Sequence, residues 1–145
     1  MFKHILLPTD GSDLSLRAVD TGLALAARLG ASVHAFHVVM PFPATVYVAE
    51  VVLADEDMYA HESVARSARY LAEVEARASA AGVPCQSSSV SDHRPYAAIL
   101  EVAASRHCDL IVMASHGWRG LDRLLLGSET HKVILNGDVP VLVCH

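Results

Sequence analysis

The sequence has no uninterrupted apolar run approaching the ~20 residues of a membrane span. Its most apolar stretch, residues 38–54, is broken by Pro41, Pro43 and Glu50. The start of the chain offers only a short apolar run before Pro8 and Asp10, which lacks the apolar core of a secretory signal, so a cytoplasmic location is expected. Basic charge is scarce as well. Lys and Arg number 11 against 16 Asp and Glu, a net charge of -5, which argues against a nucleic-acid partner. The three cysteines, Cys85, Cys108 and Cys144, lack the close pairing of redox or metal motifs and fit a reducing compartment. The histidines include no His-Glu-x-x-His pair, so no metal site is expected.

What the chain does have is apolar content, 52% of 145 residues, enough for one domain that buries roughly 68–70% of its unfolded surface. Short β-rich runs at 3–8, 32–39, 84–90, 109–114 and 140–144 alternate with helical patterns at 14–29, 56–81, 95–106 and 128–136. In the first helix Leu16, Val19, Leu23 and Ala26 share a face, with Ser12 or Asp13 as N-cap and Gly30 at the end. The second helix carries Val64, Ala68, Leu71, Val74 and Ala78 at core spacing, the third Ile99, Leu100 and Ala103, and the fourth Val133 and Ile134. Strict strand–helix alternation demands crossover connections, so the expected fold is α/β: a five-stranded parallel sheet with helices on both faces. Segment 40–55 reads either as a variable connection or as a flap or oligomer contact.

Sheets of this kind take ligands outside the carboxyl ends of their strands, at the point where strand order reverses. Those ends are Pro8, Thr9 and Asp10 after the first strand, Val38 after the second, and Ala114, Ser115, His116 and Gly117 after the fourth. From Ala114 the chain runs through a glycine-containing loop into a helix opening at Gly127, Ser128, Glu129 and Thr130. Such a layout suits an anion. Glycine admits close backbone approach, a helix N-terminus presents unpaired N–H groups and about half a positive charge, and Arg119, Arg123 and Lys132 lie close in sequence. The same residues also suit a tight turn followed by a capped helix. Asp10 suits either a ribose hydroxyl or a turn cap, and His116 either a phosphate contact or a solvated loop. Neither a Walker-type Gly-x-x-x-x-Gly-Lys nor a Gly-x-Gly-x-x-Gly is present. No nucleophile paired with a base, and no pair of carboxylates, marks a catalytic centre.

Gly117, the nine residues 118–126 and Gly127-Ser128 reproduce the latter part of a motif, Gly-x-x-Gly, nine residues, Gly-Ser/Thr. With the opening His4-Ile5-Leu6-Leu7-Pro8-Thr9-Asp10-Gly11-Ser12 and the closing Val139-Pro140-Val141-Leu142-Val143, nearly the whole chain resembles the universal stress protein family, in particular its ATP-binding members. That resemblance implies a regulatory module that binds ATP, with or without Mg²⁺, and at most hydrolyses it slowly. It places Asp10 at base and sugar, Val38 at the adenine edge, and Gly117, Gly127, Ser128, Glu129 and Thr130 around ribose and phosphates. It also implies a homodimer joined through the last strand, 140–144. Two positions depart from the pattern. Ala114 stands at the motif's first glycine, where a methyl pointing into the pocket would crowd a sugar. Glu129 sets a carboxylate in the first turn of the phosphate-binding helix and is expected to point outward. An interaction protein with a vestigial or differently filled pocket is the alternative these departures favour.

Overall fold

A computed structural model describes residues 1–42, 56–118 and 126–145. Segment 43–55, which holds most of the stretch read as a connection or flap, and residues 119–125, which include Arg119 and Arg123, lie outside the described residues. Five strands, β1 (His4–Pro8), β2 (Ser32–Val39), β3 (Cys85–Ser91), β4 (Leu110–Ala114) and β5 (Val141–Cys144), form one sheet in the order β3-β2-β1-β4-β5. Every pairing is parallel. The helices are α1 (Asp13–Leu29), α2 (Glu56–Ala80), α3 (Pro95–Ser105) and α4 (Ser128–Asn136). This is the expected α/β architecture.

Burial along the strands follows from that order. Central β1 is covered on both faces, so Ile5, Leu6 and Leu7 are fully buried, each worth roughly 1.5–3 kcal/mol of transfer free energy. Ile5 and Leu7 pack with Val19, Leu23, Leu71 and Val74 of α1 and α2. Leu6 faces the other way, toward Phe36, Ile99, Met113 and Val133, beneath α3 and α4. Ser12 caps α1 by accepting the Ser15 N–H at 3.2 Å, which resolves the choice between Ser12 and Asp13. Gly30 ends the helix at φ 65°.

Three inward assignments need correction. In α2 the buried positions are Ser63, Ser67, Leu71, Val74 and Ala78, whereas Val64 and Ala68 are exposed and border an open groove beside Ser87 and Ser89 of β3. Small serines let the first half of the helix lie close to the sheet, so there the covered positions fall one residue before the apolar ones, while Leu71, Val74 and Ala78 are buried as expected. Ile134 is likewise 42% exposed, because α4 turns only Thr130 and Val133 inward.

Strand order reverses between β1 and β4, since the chain builds outward through β2 and β3 before crossing to β4. The β1–β2 ladder continues to the Pro8–Phe36 pair, but the β1–β4 ladder ends at Leu6–Ile111. Beyond that pair the two strands are no longer held together, and their carboxyl-end loops flank a crevice.

Candidate functional site

The crevice is built from the loop after β1 and the segment joining β4 to α4. On the first side, Gly11 adopts φ 78°, a left-handed conformation that favours glycine, and a Cβ there would run into the Tyr70 ring. Tyr70 in turn meets His37 edge-on at 5.2 Å, and His37 Nδ1 lies 2.8 Å from the Thr9 carbonyl. The Thr9 hydroxyl is committed to its own loop, 3.0 Å from Ser15 Oγ and accepting the Gly11 N–H at 3.1 Å. Pro8 ends β1, and Val38 lies half-buried at the carboxyl end of β2.

Asp10 ties the two sides together. Its Oδ1 accepts the Ser12 N–H at 3.0 Å, and its Oδ2 accepts the Trp118 N–H at 3.2 Å. The Trp118 indole N–H donates to the Asp10 carbonyl at 2.6 Å, so this exposed aromatic is anchored across the crevice. Gly117 is held so near that a Cβ would strike Asp10 Oδ2. Each carboxylate oxygen keeps a lone pair for a further donor, such as a hydroxyl.

On the second side, Gly127 is drawn onto the end of β4: its N–H donates to the Ser115 carbonyl at 2.6 Å. A Cβ on Gly127 would lie 2.8 Å from that oxygen and 3.0 Å from His116 Cα, so only glycine allows the approach. The Thr130 hydroxyl donates to the Ala114 carbonyl at 2.9 Å and fixes the first turn of α4 from below. Gly127 has no side chain with which to cap α4, and the first intrahelical bond runs from the His131 N–H to the Gly127 carbonyl. The N–H groups of Ser128, Glu129 and Thr130 therefore form an unpaired donor set at the positive end of the helix dipole. A phosphate or carboxylate fits such a set without further charge.

Both departures from the motif find partners. The Ala114 side chain is buried against Leu14 and Ala18 of α1, so its methyl serves the core. The Glu129 carboxylate is directed toward α3, accepting the Tyr96 N–H at 2.8 Å and lying 3.3 Å from Lys132 Nζ. Lys132 is thereby engaged with Glu129 and with the face of Tyr96, 5.5 Å from the ring centroid. Ser115 Oγ lies 3.0 Å from His116 Nδ1, and both residues line a cavity of about 230 Å³ with Leu14, Arg17 and His145. Residues 8–10, 114–117 and 127–130 thus lie together at the carboxyl ends of β1 and β4. Tyr70 is the contributor that sequence patterns assign no place, since a ring's partner across two loops leaves no local spacing. Among the described residues no group of three or more His, Cys, Asp or Glu side chains is placed to hold a metal ion.

An open parallel sheet whose strand order reverses between β1 and β4, with an uncapped helix N-terminus beside that point, defines an α/β protein of Rossmann-like architecture. The universal stress protein family profile matches residues 1–145, and the chain belongs to that family. A universal stress protein of Thermus aquaticus is 35% identical over 144 residues, covering 99% of this chain and 98% of its own length. The solved structure of MJ0577 from Methanocaldococcus jannaschii superposes with a TM-score of 0.83 at 26% identity, covering 99% of this chain and 96% of that one. A universal stress protein in complex with cAMP gives a TM-score of 0.69 at 28% identity, covering 99% and 97%. No helix among the described residues is long and apolar enough to cross a membrane.

Proposed function

We propose that this chain is a nucleotide-binding regulatory module whose crevice takes an adenine nucleotide, with ATP the ligand its motif implies. The observation that carries the proposal is the uncapped N-terminus of α4, held by Gly127 against Ser115 and facing the loop that carries Asp10. In this reading the N–H groups of Ser128, Glu129 and Thr130 receive phosphate, with Gly117 and His116 flanking it. Asp10 accepts a ribose hydroxyl with its remaining lone pairs, and the backbone at Val38 meets the adenine edge. The complex of a relative with cAMP supports adenine as the base. Ala114 is compatible with the reading because its methyl is packed against α1. Mg²⁺, if it accompanies the nucleotide, is held by the phosphates, since the described residues supply no cluster of their own.

Binding alters what the protein contacts by favouring one arrangement of the crevice loops, and the regulatory output follows from that difference in affinity. The role in this reading is binding, with hydrolysis at most slow. The protein acts in the cytoplasm as a homodimer. Support for the dimer comes from β5, an edge strand whose Leu142 is 39% exposed, a surface suited to pairing with a second copy. Calorimetry with ATP and with cAMP on the full chain tests the central claim. Saturable binding of one equivalent per protomer is expected, and no heat at millimolar nucleotide with an intact fold refutes it. Light scattering tests the dimer, for which a mass of one protomer at micromolar concentration is the contrary result.

A further inference from the structure

The Glu129 carboxylate is fixed in a way that an ordinary surface carboxylate is not. Arg94 gives α3 no side-chain cap, and Glu129 from α4 supplies the missing acceptor through the Tyr96 N–H. Glu129 is also the second residue of α4, whose own N-terminal N–H groups form the anion cradle. One carboxylate therefore caps α3 and opposes the positive end of α4 at the same time. It cannot swing away from an arriving anion without uncapping α3. A phosphate on the cradle would lie within about one helical turn, roughly 6 Å, of this negative charge. At that distance, with an effective dielectric between about 40 and 80, each added ligand charge weakens binding roughly threefold to tenfold. Lys132, 3.3 Å from Glu129 Oε1, offsets part of that penalty.

We infer that Glu129 is a specificity-determining residue that tunes the crevice toward adenine nucleotides with a single phosphate and against triphosphates. The inference rests on the reading that the cradle receives nucleotide phosphate, and it adds to that reading a rank order, AMP over ADP over ATP in affinity per contact. Lys132 acts in the opposite sense, because removing it exposes the ligand to the whole carboxylate charge.

Calorimetric Kd values for AMP, ADP and ATP, measured without divalent ions on the full chain, on Glu129→Gln and on Lys132→Gln, test the inference. Gln keeps a carbonyl acceptor for the Tyr96 N–H, and thermal melting checks that α3 remains docked. ATP carries about two more charges than AMP, so in Glu129→Gln the ratio of the ATP to the AMP dissociation constant should fall about tenfold to a hundredfold. In Lys132→Gln it should rise. A ratio unchanged in Glu129→Gln while AMP still binds overturns the inference, as does a shift in the same direction in both variants. If none of the three nucleotides binds the unaltered protein, the proposed function itself falls, a result distinct from binding without charge discrimination.

Discussion

Replacing Gly127 by Ala isolates one contact on which the crevice depends. The backbone there, φ -58° and ψ 147°, is open to any residue, so alanine brings no torsional strain. In the unfolded chain the substitution favours folding by about 0.4–1 kcal/mol. Against this stands the steric cost. The new methyl would sit 2.8 Å from the Ser115 carbonyl oxygen and 3.0 Å from His116 Cα, both backbone atoms that cannot rotate aside. Relief requires the start of α4 to retreat from the end of β4, which lengthens the 2.6 Å Gly127–Ser115 hydrogen bond. Overpacking of this kind costs about 1–3 kcal/mol, and alanine is a poorer N-cap than glycine. The net expectation is a destabilisation of about 1–2 kcal/mol, a fall in Tm of roughly 2–8 °C for a chain of this size. Nucleotide affinity should fall further than stability, at least tenfold, because the donor N–H groups move with the helix. Thermal denaturation and calorimetry on the same preparation give both numbers. An alanine variant with unchanged Tm and unchanged Kd would show that the close approach is not what shapes the site.

Three further outcomes follow from other positions. Gly11→Ala meets both a left-handed φ of 78° and the Tyr70 ring, so it should destabilise by about 2–4 kcal/mol in urea unfolding, more than Gly127→Ala. His34 is 1% exposed, and its imidazole is held below the usual 6.5, first by burial and then by the nearby Arg106 and His4 charges. Native His34 therefore stays neutral where the unfolded chain takes a proton: stability is fully present above about pH 6.5 and is lost as pH falls below it. A His34→Gln variant should show a flatter stability curve than the parent between about pH 7.5 and 5, and parallel curves would contradict this. The Cys108 thiol is pushed up to about 11, chiefly by burial, so iodoacetamide at neutral pH should leave it intact in the folded protein and modify it in urea.

The sequence by itself determined the five strands, the four helices and their alternation, because side-chain period and cap chemistry are local properties. Ser12 before α1 and Gly30 after it mark that helix without reference to anything distant. Strict alternation then required parallel crossovers, and the motif from Gly117 to Ser128 located the crevice. Tertiary structure alone decided what those residues touch. Val64 and Ala68 matched a core spacing, yet Ser63 and Ser67 are the residues covered, since the rotation of α2 is set by how closely it lies against the sheet. The direction of the Ala114 methyl depends on the placement of Leu14 and Ala18 in α1. The bond between Asp10 and Trp118 spans 108 positions, and the capping of α3 by Glu129 spans 33. Such contacts are fixed by packing between elements far apart in the chain, and no period or spacing encodes them.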